Sequence, residues 1–525
     1  MTTWPNSSGV TFWSPRSAVL HAASDSQSGA NAPHRGAGII GRTAGEFGRA
    51  SGKVLPIFLT LAIWSVWSTP PATSAAPPQL DLPQKTALDD YVAKPDAAYA
   101  WQVVATQKVP GGTVFTLEMT SQTWRTPDEV SRPVWKHWLL VAKPDVVRYS
   151  TAFLAIGGGR NGGSPPDAAS NLITAVAAAT GTVTAELRMV PNQPLIFFND
   201  GKERFEDDLV AYTWTKALET GDVTWSARFP MVKSAVRAMD TVQAFLRSEQ
   251  GGATEIRDFV VAGGSKRGWT TWLTAAVDPR VKAAIPLVID VLNCEPCLRH
   301  HYAAYGFWAP AVHDYVEHNI LQRLGDPRVT EFLRVEDPYF YRHRLTMPKY
   351  VVNSSGDQFF PPDSSQFYFD DLQGETYLRV IPNTDHGLKN SDVLQTIIGY
   401  YRLILDDAPR PRFSWRFRGA DTVELECTDE PRQTLLWQAT NPDARDFRLV
   451  TIGPSFTSRP LEWSDGRCVV TVAPPEKGWT AYFVELTYPG KDGFYLKVTT
   501  PPRVVPNTLP FADAVPPRTN LPAAK

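Results

Sequence analysis

The sequence predicts an α/β fold, a mostly parallel sheet with helices on both faces, followed by an all-β sandwich. Three observations support this prediction. From about residue 100 to residue 408, strand-like runs alternate with helix-like runs, which is typical of parallel strands joined by crossover helices. Within that region, the apolar run Phe259–Ala262 leads through a glycine-rich turn directly into a helix. After Pro409, only short runs of alternating polarity follow, separated by turn residues.

Length and composition indicate a folded chain with more than one domain. At 525 residues the chain exceeds the size at which a single core stops growing. Its 43% hydrophobic and 20% charged residues exclude a mainly disordered chain. The 52 Lys and Arg against 54 Asp and Glu give a net charge of −2, so there is no basic excess for nucleic acid. The 45 Pro and 17 Trp indicate many loops and aromatic surfaces.

The N-terminal residues are predicted to be absent from the mature protein. Residues 1–53 show no apolar periodicity and are interpreted as a disordered leader or as the product of a misplaced start codon. The uncharged run Val54–Trp67 lies between Lys53 and the small residues at 73–76, so residues 54–76 are predicted to be a signal peptide. A membrane span needs about 20 apolar residues, which makes an uncleaved anchor the weaker alternative. We expect an exported protein, periplasmic or extracellular, with no stable membrane span after cleavage.

Residues 77–410 are predicted to form the α/β domain. The stretch 298–346 interrupts its rhythm and is predicted to be a helical cap inserted after a strand. The strand candidates are Val134–Ala142, Ala152–Ile156, Val183–Leu187, Phe259–Ala262, Ala283–Ile289, Tyr350–Asn353 and Tyr377–Ile381. The helix candidates are Asp167–Ala179, Met231–Arg247, Gly268–Ala276 and Asp392–Leu405.

Residues 411–503 are predicted to form a β-sandwich of immunoglobulin-like size, and residues 504–525 a Pro-rich tail. No helical pattern separates the strand candidates of this region. They are Phe413–Phe417, Thr422–Glu426, Thr434–Ala439, Phe447–Thr451, Arg467–Val472, Ala481–Thr487 and Gly493–Thr499.

The most informative motif is the glycine-rich turn around Ser265. An apolar strand runs into Gly-Gly-Ser-Lys-Arg-Gly and then into a helix, so Ser265 would sit on a sharp strand-to-helix turn that exposes its hydroxyl. The spacing differs from the common G-x-S-x-G pattern, because Arg267 takes the position of the second glycine and Gly268 follows one place later. In this context Ser265 is a candidate nucleophile, and the alternative is a serine that merely caps the helix.

A serine nucleophile needs a base and an acid that orients the base. His386 follows the strand candidate Tyr377–Ile381 and precedes a helix, which places it at a strand's carboxyl end. Asp357 follows another strand in a glycine-containing turn, and the order Ser, Asp, His is that of α/β-hydrolases. Asp290, at the end of Ala283–Ile289, is the alternative acid. The sequence therefore predicts a triad of Ser265, Asp357 and His386.

Backbone donors and a pocket complete the predicted site. The N–H of Lys266, directly after the nucleophile, and those of Gly158 and Gly159 in a glycine-rich loop are candidates for an oxyanion hole. The candidate substrate-pocket residues are Arg267, Trp269, Tyr305 and Trp308. The alternative for these residues is a structural role.

The cysteines and histidines do not form a recognisable metal motif. Cys294 and Cys297 have redox or metal spacing, but no second pair accompanies them, and a local disulfide is favoured in an exported protein. Cys427 and Cys468 lie on different strand candidates and are candidates for a cross-sheet disulfide. The histidines of the cap are interpreted as packing or pocket residues. The sequence predicts neither a metal nor a cofactor.

Several motifs resemble the PhoPQ-activated pathogenicity-related protein family, a branch of the α/β-hydrolase superfamily. The resemblance covers about residues 85–500 and implies a secreted or envelope hydrolase with Ser265, Asp357 and His386 in the triad positions, while implying little about the substrate. The basic residues after the serine also resemble those of glucuronoyl esterases, although Lys266 directly follows the serine here. The matching segments are Val190–Leu195, Glu206–Trp214, Gly264–Trp272, Arg299–Tyr302, Tyr305–Gly306 and Asn383–His386.

The sequence therefore predicts a serine hydrolase that cleaves an ester, or alternatively a peptide or other amide, on a small-molecule or polymer-borne acyl substrate. The alternative from another class is a non-catalytic secreted binding protein on the same fold, since fold alone does not establish activity. A glucuronoyl-type carbohydrate esterase is a third interpretation. Neither the substrate nor the oligomeric state follows from the sequence.

Overall fold

The computed structural model describes residue 82, residues 84–166 and residues 169–514. The predicted leader and signal peptide lie outside the described residues, as do residues 515–525 of the predicted Pro-rich tail. The described residues confirm the predicted fold class. They form a central sheet with helices on both faces and a C-terminal region of antiparallel strands. The division into domains at residues 410 and 411 stays a prediction.

The central sheet begins antiparallel and continues parallel. Its strand order is β1-β2-β3-β5-β4-β6-β7-β8-β9, in which β1 to β3 pair antiparallel and β5-β4-β6-β7-β8-β9 are parallel. This order, with one strand crossing back before the parallel run, is the arrangement of the α/β-hydrolase fold. The strands are β1 (Ala100–Val109), β2 (Gly112–Thr123), β3 (Val134–Pro144), β4 (Thr151–Ile156), β5 (Thr184–Leu187), β6 (Asp258–Gly264), β7 (Val281–Leu287), β8 (Lys349–Ser354) and β9 (Thr376–Ile381).

Helices cover both faces because the buried strands are apolar on both sides. On β4, Leu154 belongs to one hydrophobic cluster and its neighbour Phe153 to the other. The helices are α1 (Ala87–Ala93), α2 (Asn171–Thr180), α3 (Glu206–Thr220), α4 (Arg228–Arg247), α5 (Lys266–Val277), α6 (Cys294–Tyr305), α7 (His313–Glu317), α8 (Pro327–Glu336), α9 (Val393–Leu405) and α10 (Leu449–Ile452).

The insertion after β7 is helical, as predicted. It runs from α6 through α7 and α8, with short 3₁₀ turns between them, to a 3₁₀ helix at Pro338–Arg344. Four elements of the described α/β region were not predicted: α1, the hairpin strands β1 and β2, and α3. Of the helices named above, none is both long and apolar enough to cross a membrane.

The C-terminal strands form two antiparallel sheets. One is three-stranded, with the order β10-β11-β14, and the other has the order β16-β15-β12-β13 with β17 also paired to β15. One predicted strand is wrong, because Phe447–Thr451 contains the short helix α10 instead. The strands are β10 (Phe413–Arg418), β11 (Thr422–Cys427), β12 (Gln433–Asn441), β13 (Thr457–Pro460), β14 (Arg467–Thr471), β15 (Trp479–Pro489), β16 (Tyr495–Thr499) and β17 (Arg503–Val505).

The larger C-terminal sheet is hydrogen-bonded to the central sheet. β16 pairs antiparallel with β9 at Thr499 and Leu378. Beside this contact, Arg379 on β9 forms a fully buried ion pair with Glu485 on β15. Arg379 also contacts Asp392, the residue before α9, at 3.0 Å. The C-terminal strands therefore extend the sheet that carries the predicted site.

Candidate active site

Ser265 lies on the turn between β6 and α5 in a strained backbone conformation. Its φ of 58° and ψ of −127° fall in a region that residues other than glycine rarely adopt. Two glycines permit the tight turn. A Cβ on Gly263 would come within 2.6 Å of the Arg267 carbonyl oxygen, and one on Gly268 within 2.9 Å of the Leu287 carbonyl oxygen. The glycine three residues after Ser265 thus fills the close-packing role that the common motif gives to the second residue after the serine.

His386 and Asp357 are in direct contact. His386 Nδ1 lies 2.8 Å from Asp357 Oδ2 and 3.1 Å from Oδ1. The carboxylate is buried and also accepts a hydrogen bond from the Phe359 N–H at 2.8 Å. The His386 N–H donates to Gln358 Oε1 at 3.1 Å. Three consecutive residues, Asp357, Gln358 and Phe359, therefore fix the position of the imidazole. Of these three, only Asp357 was predicted from the sequence.

The second ring nitrogen of His386 is available for proton transfer. Nε2 is buried and has no hydrogen-bond partner among the described residues, and the Phe359 ring packs 4.4 Å from the imidazole, centroid to centroid. Within the described residues, no hydrogen bond joins Ser265 Oγ to His386. Ser265, Asp357 and His386 follow β6, β8 and β9, whose carboxyl ends lie on the same edge of the sheet.

The alternative acid Asp290 does not contact His386. It is buried, and Tyr368 donates a hydrogen bond of 2.6 Å to its Oδ1. Burial, together with the nearby charges of Asp357 and Asp363, raises the pKa of Asp290 to about 8, although the Tyr368 hydrogen bond opposes this rise. Asp290 is therefore a neutral carboxylic acid at pH 7, whereas Asp357 is the carboxyl group placed against the imidazole.

The protonated Asp290 predicts a specific pH dependence of stability. An unfolded chain releases this proton near pH 4, while the folded protein keeps it up to about pH 8, so the contribution of Asp290 to the free energy of unfolding falls as the pH rises through this range. Asp290→Asn removes this dependence and keeps an acceptor for Tyr368. We expect the variant to gain about 1–3 kcal/mol relative to the wild type between pH 5 and pH 8 in denaturant unfolding. A difference that does not change with pH would contradict it.

The three backbone donors predicted for the oxyanion hole are unused. Among the residues that the structure describes, the N–H groups of Lys266, Gly158 and Gly159 donate no hydrogen bond. The carbonyl groups of both glycines are held instead, Gly158 O by the Met189 N–H at 2.9 Å and Gly159 O by Gln193 Nε2 at 3.1 Å. The carbonyl groups of these two glycines are thus held by hydrogen bonds, while their N–H groups remain free.

The Arg267 side chain is held by an ion pair and a backbone hydrogen bond within the fold. Its guanidinium binds both carboxylate oxygens of Glu206 at 2.7 and 2.8 Å, and its Nε donates to the Val190 carbonyl oxygen. The neighbouring Lys266 Nζ pairs with Glu206 at 2.9 Å and with Asp207 at 3.0 Å. The predicted alternative, an ion pair with a carboxylate, accounts for the charge of Arg267, and its role in a substrate pocket stays a prediction.

This ion cluster also borders the glycine loop. A Cβ on Gly158 would lie 2.6 Å from Arg267 Nη2, so only glycine allows the guanidinium to pack there. Burial alone would raise the pKa of Glu206, but Lys266 and Arg267 more than offset it and hold this pKa far below its usual range. Glu206 consequently stays ionised and links α3 to the turn that carries Ser265.

Of the aromatic pocket candidates, Trp269 is a core residue. It is 4% exposed, and its Nε1 donates to the Glu336 carbonyl oxygen at 2.8 Å. Tyr305 is also buried, and its hydroxyl has no partner among the described residues. Trp308 is half-buried and packs against the rings of His301 and Tyr302. The substrate-pocket roles of Trp269, Tyr305 and Trp308 stay predictions.

All four cysteines are free thiols, so the predicted disulfides are absent from the structure. Cys294 and Cys297 lie in the first turn of α6, where the Cys297 thiol donates to the Leu292 carbonyl oxygen at 3.1 Å. Burial raises the pKa of both thiols well above the usual value. Cys427 and Cys468 lie on neighbouring strands of one sheet, β11 and β14, and not on opposing sheets. Over residues 84–166 and 169–514, no three potential ligand side chains are grouped to hold a metal.

Comparison with known proteins gives one family and several structural neighbours. A sequence profile of the PhoPQ-activated pathogenicity-related protein family matches residues 88–448. The chain is 37% identical over 489 residues to autocrine proliferation repressor protein A of Dictyostelium discoideum, a match that spans 87% of this chain and 95% of the relative.

Solved structures with a similar chain trace include esterases. Acetyl xylan esterase 1 from Thermoanaerobacterium sp. JW/SL YS485 aligns with a TM-score of 0.42 and 15% identity, covering 61% of this chain and 93% of that one. A glucuronoyl esterase from Solibacter usitatus aligns with a TM-score of 0.35 and 15% identity, covering 59% and 87%.

Proposed function

This chain belongs to the PhoPQ-activated pathogenicity-related protein family, and from that premise we propose that it is a serine hydrolase that cleaves an ester or an amide. The observation that carries the proposal is the arrangement at the carboxyl edge of the sheet. A strained serine follows β6, and a histidine with an open ring nitrogen, paired with a buried carboxylate, is formed by the loops after β8 and β9. Backbone strain at a single serine is costly and is typical of functional sites.

In the proposed reaction, Ser265 Oγ attacks the carbonyl carbon while His386 Nε2 takes the hydroxyl proton. Asp357 keeps the imidazole in the required tautomer and stabilises its charged form. The free N–H groups of Lys266, Gly158 and Gly159 accommodate the negative oxygen of the tetrahedral intermediate. His386 then returns the proton to the leaving alcohol or amine, which produces an acyl-enzyme, and a water molecule repeats the sequence to release the acid and restore Ser265.

Two observations separate this proposal from its alternatives. A purely binding protein has no requirement for the left-handed backbone at Ser265 or for a histidine paired with a buried aspartate, so both features favour an enzyme. A glucuronoyl-type esterase has to recognise a uronate, but the side chains of Lys266 and Arg267 are already neutralised by Glu206 and Asp207. The proposal therefore leaves the acyl substrate general, either a small molecule or a polymer-borne group.

The proposal includes export, which rests on the sequence pattern at residues 54–76. Measuring the intact mass of the protein outside the cytoplasm tests this part separately. A full-length mass would contradict signal-peptide cleavage.

A fluorophosphonate probe tests the proposed function directly. Such a probe phosphonylates an activated serine and releases fluoride, so we expect the wild-type protein to gain the mass of one probe less HF, with the modification mapping to Ser265 in a peptide digest. Activation depends on the folded site, and heat-unfolded protein is therefore the control that should stay unlabelled. A folded protein with unchanged mass, or a label on another residue, would contradict the proposal.

A further inference from the structure

We propose that the connection between β12 and β13, residues 442–456, positions the catalytic acid and base. This proposal rests on the proposed function and deepens it. The connection belongs to the C-terminal strands, yet it contacts the loop that carries Asp357 and the loop that carries His386. Hereafter we call residues 442–456 the β12–β13 connection.

The first contact is with the residue before the acid. The N–H of Leu449, the first residue of α10, donates to the Gly356 carbonyl oxygen at 2.9 Å. Gly356 in turn donates its N–H to the Thr384 carbonyl oxygen, two residues before His386, at 3.1 Å. A Cβ on Gly356 would lie 2.8 Å from Leu449 N and 2.9 Å from Thr384 O, so the chain passes between the two neighbours with no spare room.

The second contact is with the base loop. Asn383 Nδ2 donates to the Phe456 carbonyl oxygen at 2.8 Å, and the Phe456 N–H donates to Asn383 Oδ1 at 2.9 Å. This pair of bonds fixes the Asn383 side chain, while its backbone has a left-handed φ of 58° that asparagine tolerates better than most residues. The Asn383 N–H also donates to Ser355 Oγ at 2.9 Å, which joins the base loop to the acid loop.

A buried ion pair holds the start of the connection in place. Arg445 Nη2 lies 2.6 Å from Asp363 Oδ2, and neither side chain is more than 2% exposed. The other oxygen of Asp363 lies 2.9 Å from His300 Nε2 on α6. Burial would raise the pKa of Asp363, but Arg445 and His300 more than offset this effect and keep it well below the usual value. The charged pair therefore ties the connection to the acid loop and the cap together.

These contacts imply that the acid and base loops share a support that neither loop supplies alone. His386 Nε2 has to meet a serine on a different strand, and a displacement of about 1 Å at a catalytic group can reduce the rate about 100-fold. Leu449 and Asn383 are therefore positioning residues, because they touch neither substrate nor the reacting atoms.

The variant Leu449→Pro tests the first contact. Proline is tolerated at the first helical position, and it removes the N–H that binds Gly356 O. Leu449→Ala is the matched control, because it shortens the side chain and keeps the N–H. The second variant, Asn383→Asp, keeps the acceptor for Phe456 and the tolerance of a left-handed backbone, but replaces the donor by a carboxylate oxygen.

The rate of acyl-ester hydrolysis is normalised to the active sites counted by fluorophosphonate titration. We expect Leu449→Pro and Asn383→Asp to lower kcat per titrated site about 10- to 100-fold with KM within about threefold of the wild type. Leu449→Ala is expected to stay within about threefold. A merely structural role would reduce the number of titrated sites and leave kcat per site unchanged, which would overturn the proposal. Failure of both variants to fold would also overturn it.

Hydrogen exchange separates this inference from the proposed function. In Leu449→Pro, relative to Leu449→Ala, we expect faster amide exchange at residues 355–360 and 383–387. If the wild type neither hydrolyses esters nor binds the probe, the proposed function fails, while the exchange result still decides the positioning contact. If the wild type is active but exchange at residues 355–360 and 383–387 is the same in Leu449→Pro as in Leu449→Ala, the positioning role is refuted and the proposed function is not.

Discussion

Replacing Ser265 by Ala is expected to lower kcat for ester hydrolysis about a million-fold, because no other hydroxyl occupies the β6–α5 turn. The remaining rate comes from the oxyanion donors and from binding, which act without the nucleophile. KM should change little, since the serine hydroxyl contributes to the chemical step more than to binding. Steady-state kinetics on a short acyl ester measure both parameters.

A second serine serves as the control for this change. Ser391 lies just before α9, and its hydroxyl donates to the Leu388 carbonyl oxygen at 2.7 Å. Ser391→Ala removes a hydroxyl of the same kind in the loop region after His386 and is expected to keep kcat within about threefold of the wild type. Residual activity above about 1% in Ser265→Ala would show that the reaction does not pass through this residue.

Asp357→Asn is expected to lower kcat about 10,000-fold, whereas Asp290→Asn is expected to lower it less than about tenfold. The side-chain amide introduced by Asp357→Asn would present an NH₂ group to His386 Nδ1, which favours the wrong tautomer of the imidazole. Asp290 contacts Tyr368 instead, and an asparagine there still accepts that hydrogen bond. Measuring kcat for both variants at one pH decides which carboxyl orients the base.

The reverse result would reassign the acid. If Asp290→Asn abolished turnover while Asp357→Asn kept it, the contact between Asp357 and His386 would be structural only. Circular dichroism and Tm measurements on both variants exclude unfolding as the cause of any loss. Asp357 is buried and accepts the Phe359 N–H, so a modest fall in Tm is expected for its variant without loss of secondary structure.

The sequence predicted the candidate site best where the fold requires a particular residue type at the end of a strand. A glycine-flanked serine between an apolar strand and a helix predicted the turn, and the backbone at Ser265 has the corresponding strain. The order of Asp357 and His386 predicted their strand ends, and the two side chains lie in contact. These predictions succeeded because the parallel strands bring consecutive carboxyl ends to one edge.

Contacts between residues distant in sequence could not be predicted in the same way. Arg267 and Glu206 lie 61 residues apart, and Asn383 and Phe456 lie 73 apart. Nothing in either local pattern identifies its partner, so the sequence could suggest a carboxylate partner for Arg267 without identifying Glu206.

The Phe447–Thr451 segment illustrates a local failure. Apolar residues at alternate positions predicted a strand, but the Asp446 carboxylate accepts hydrogen bonds from the Arg448 N–H at 3.1 Å and from Thr451 Oγ1 at 2.9 Å. These bonds close a helical turn in place of extended backbone. A short apolar run of this kind fits either structure, and the side chain before it decided the outcome.

The junction of β9 with β16 has a consequence for the order in which the protein is made. Synthesis proceeds from the N-terminus, so the last parallel strand is complete more than a hundred residues before the strand that pairs with it. Until then β9 presents an open edge, and the Arg379 charge lacks Glu485. A chain released at residue 410 would keep that exposed edge permanently, with the tendency to aggregate that such edges carry. The nascent chain therefore completes the sheet that carries the candidate site only after β15 and β16 have been synthesised.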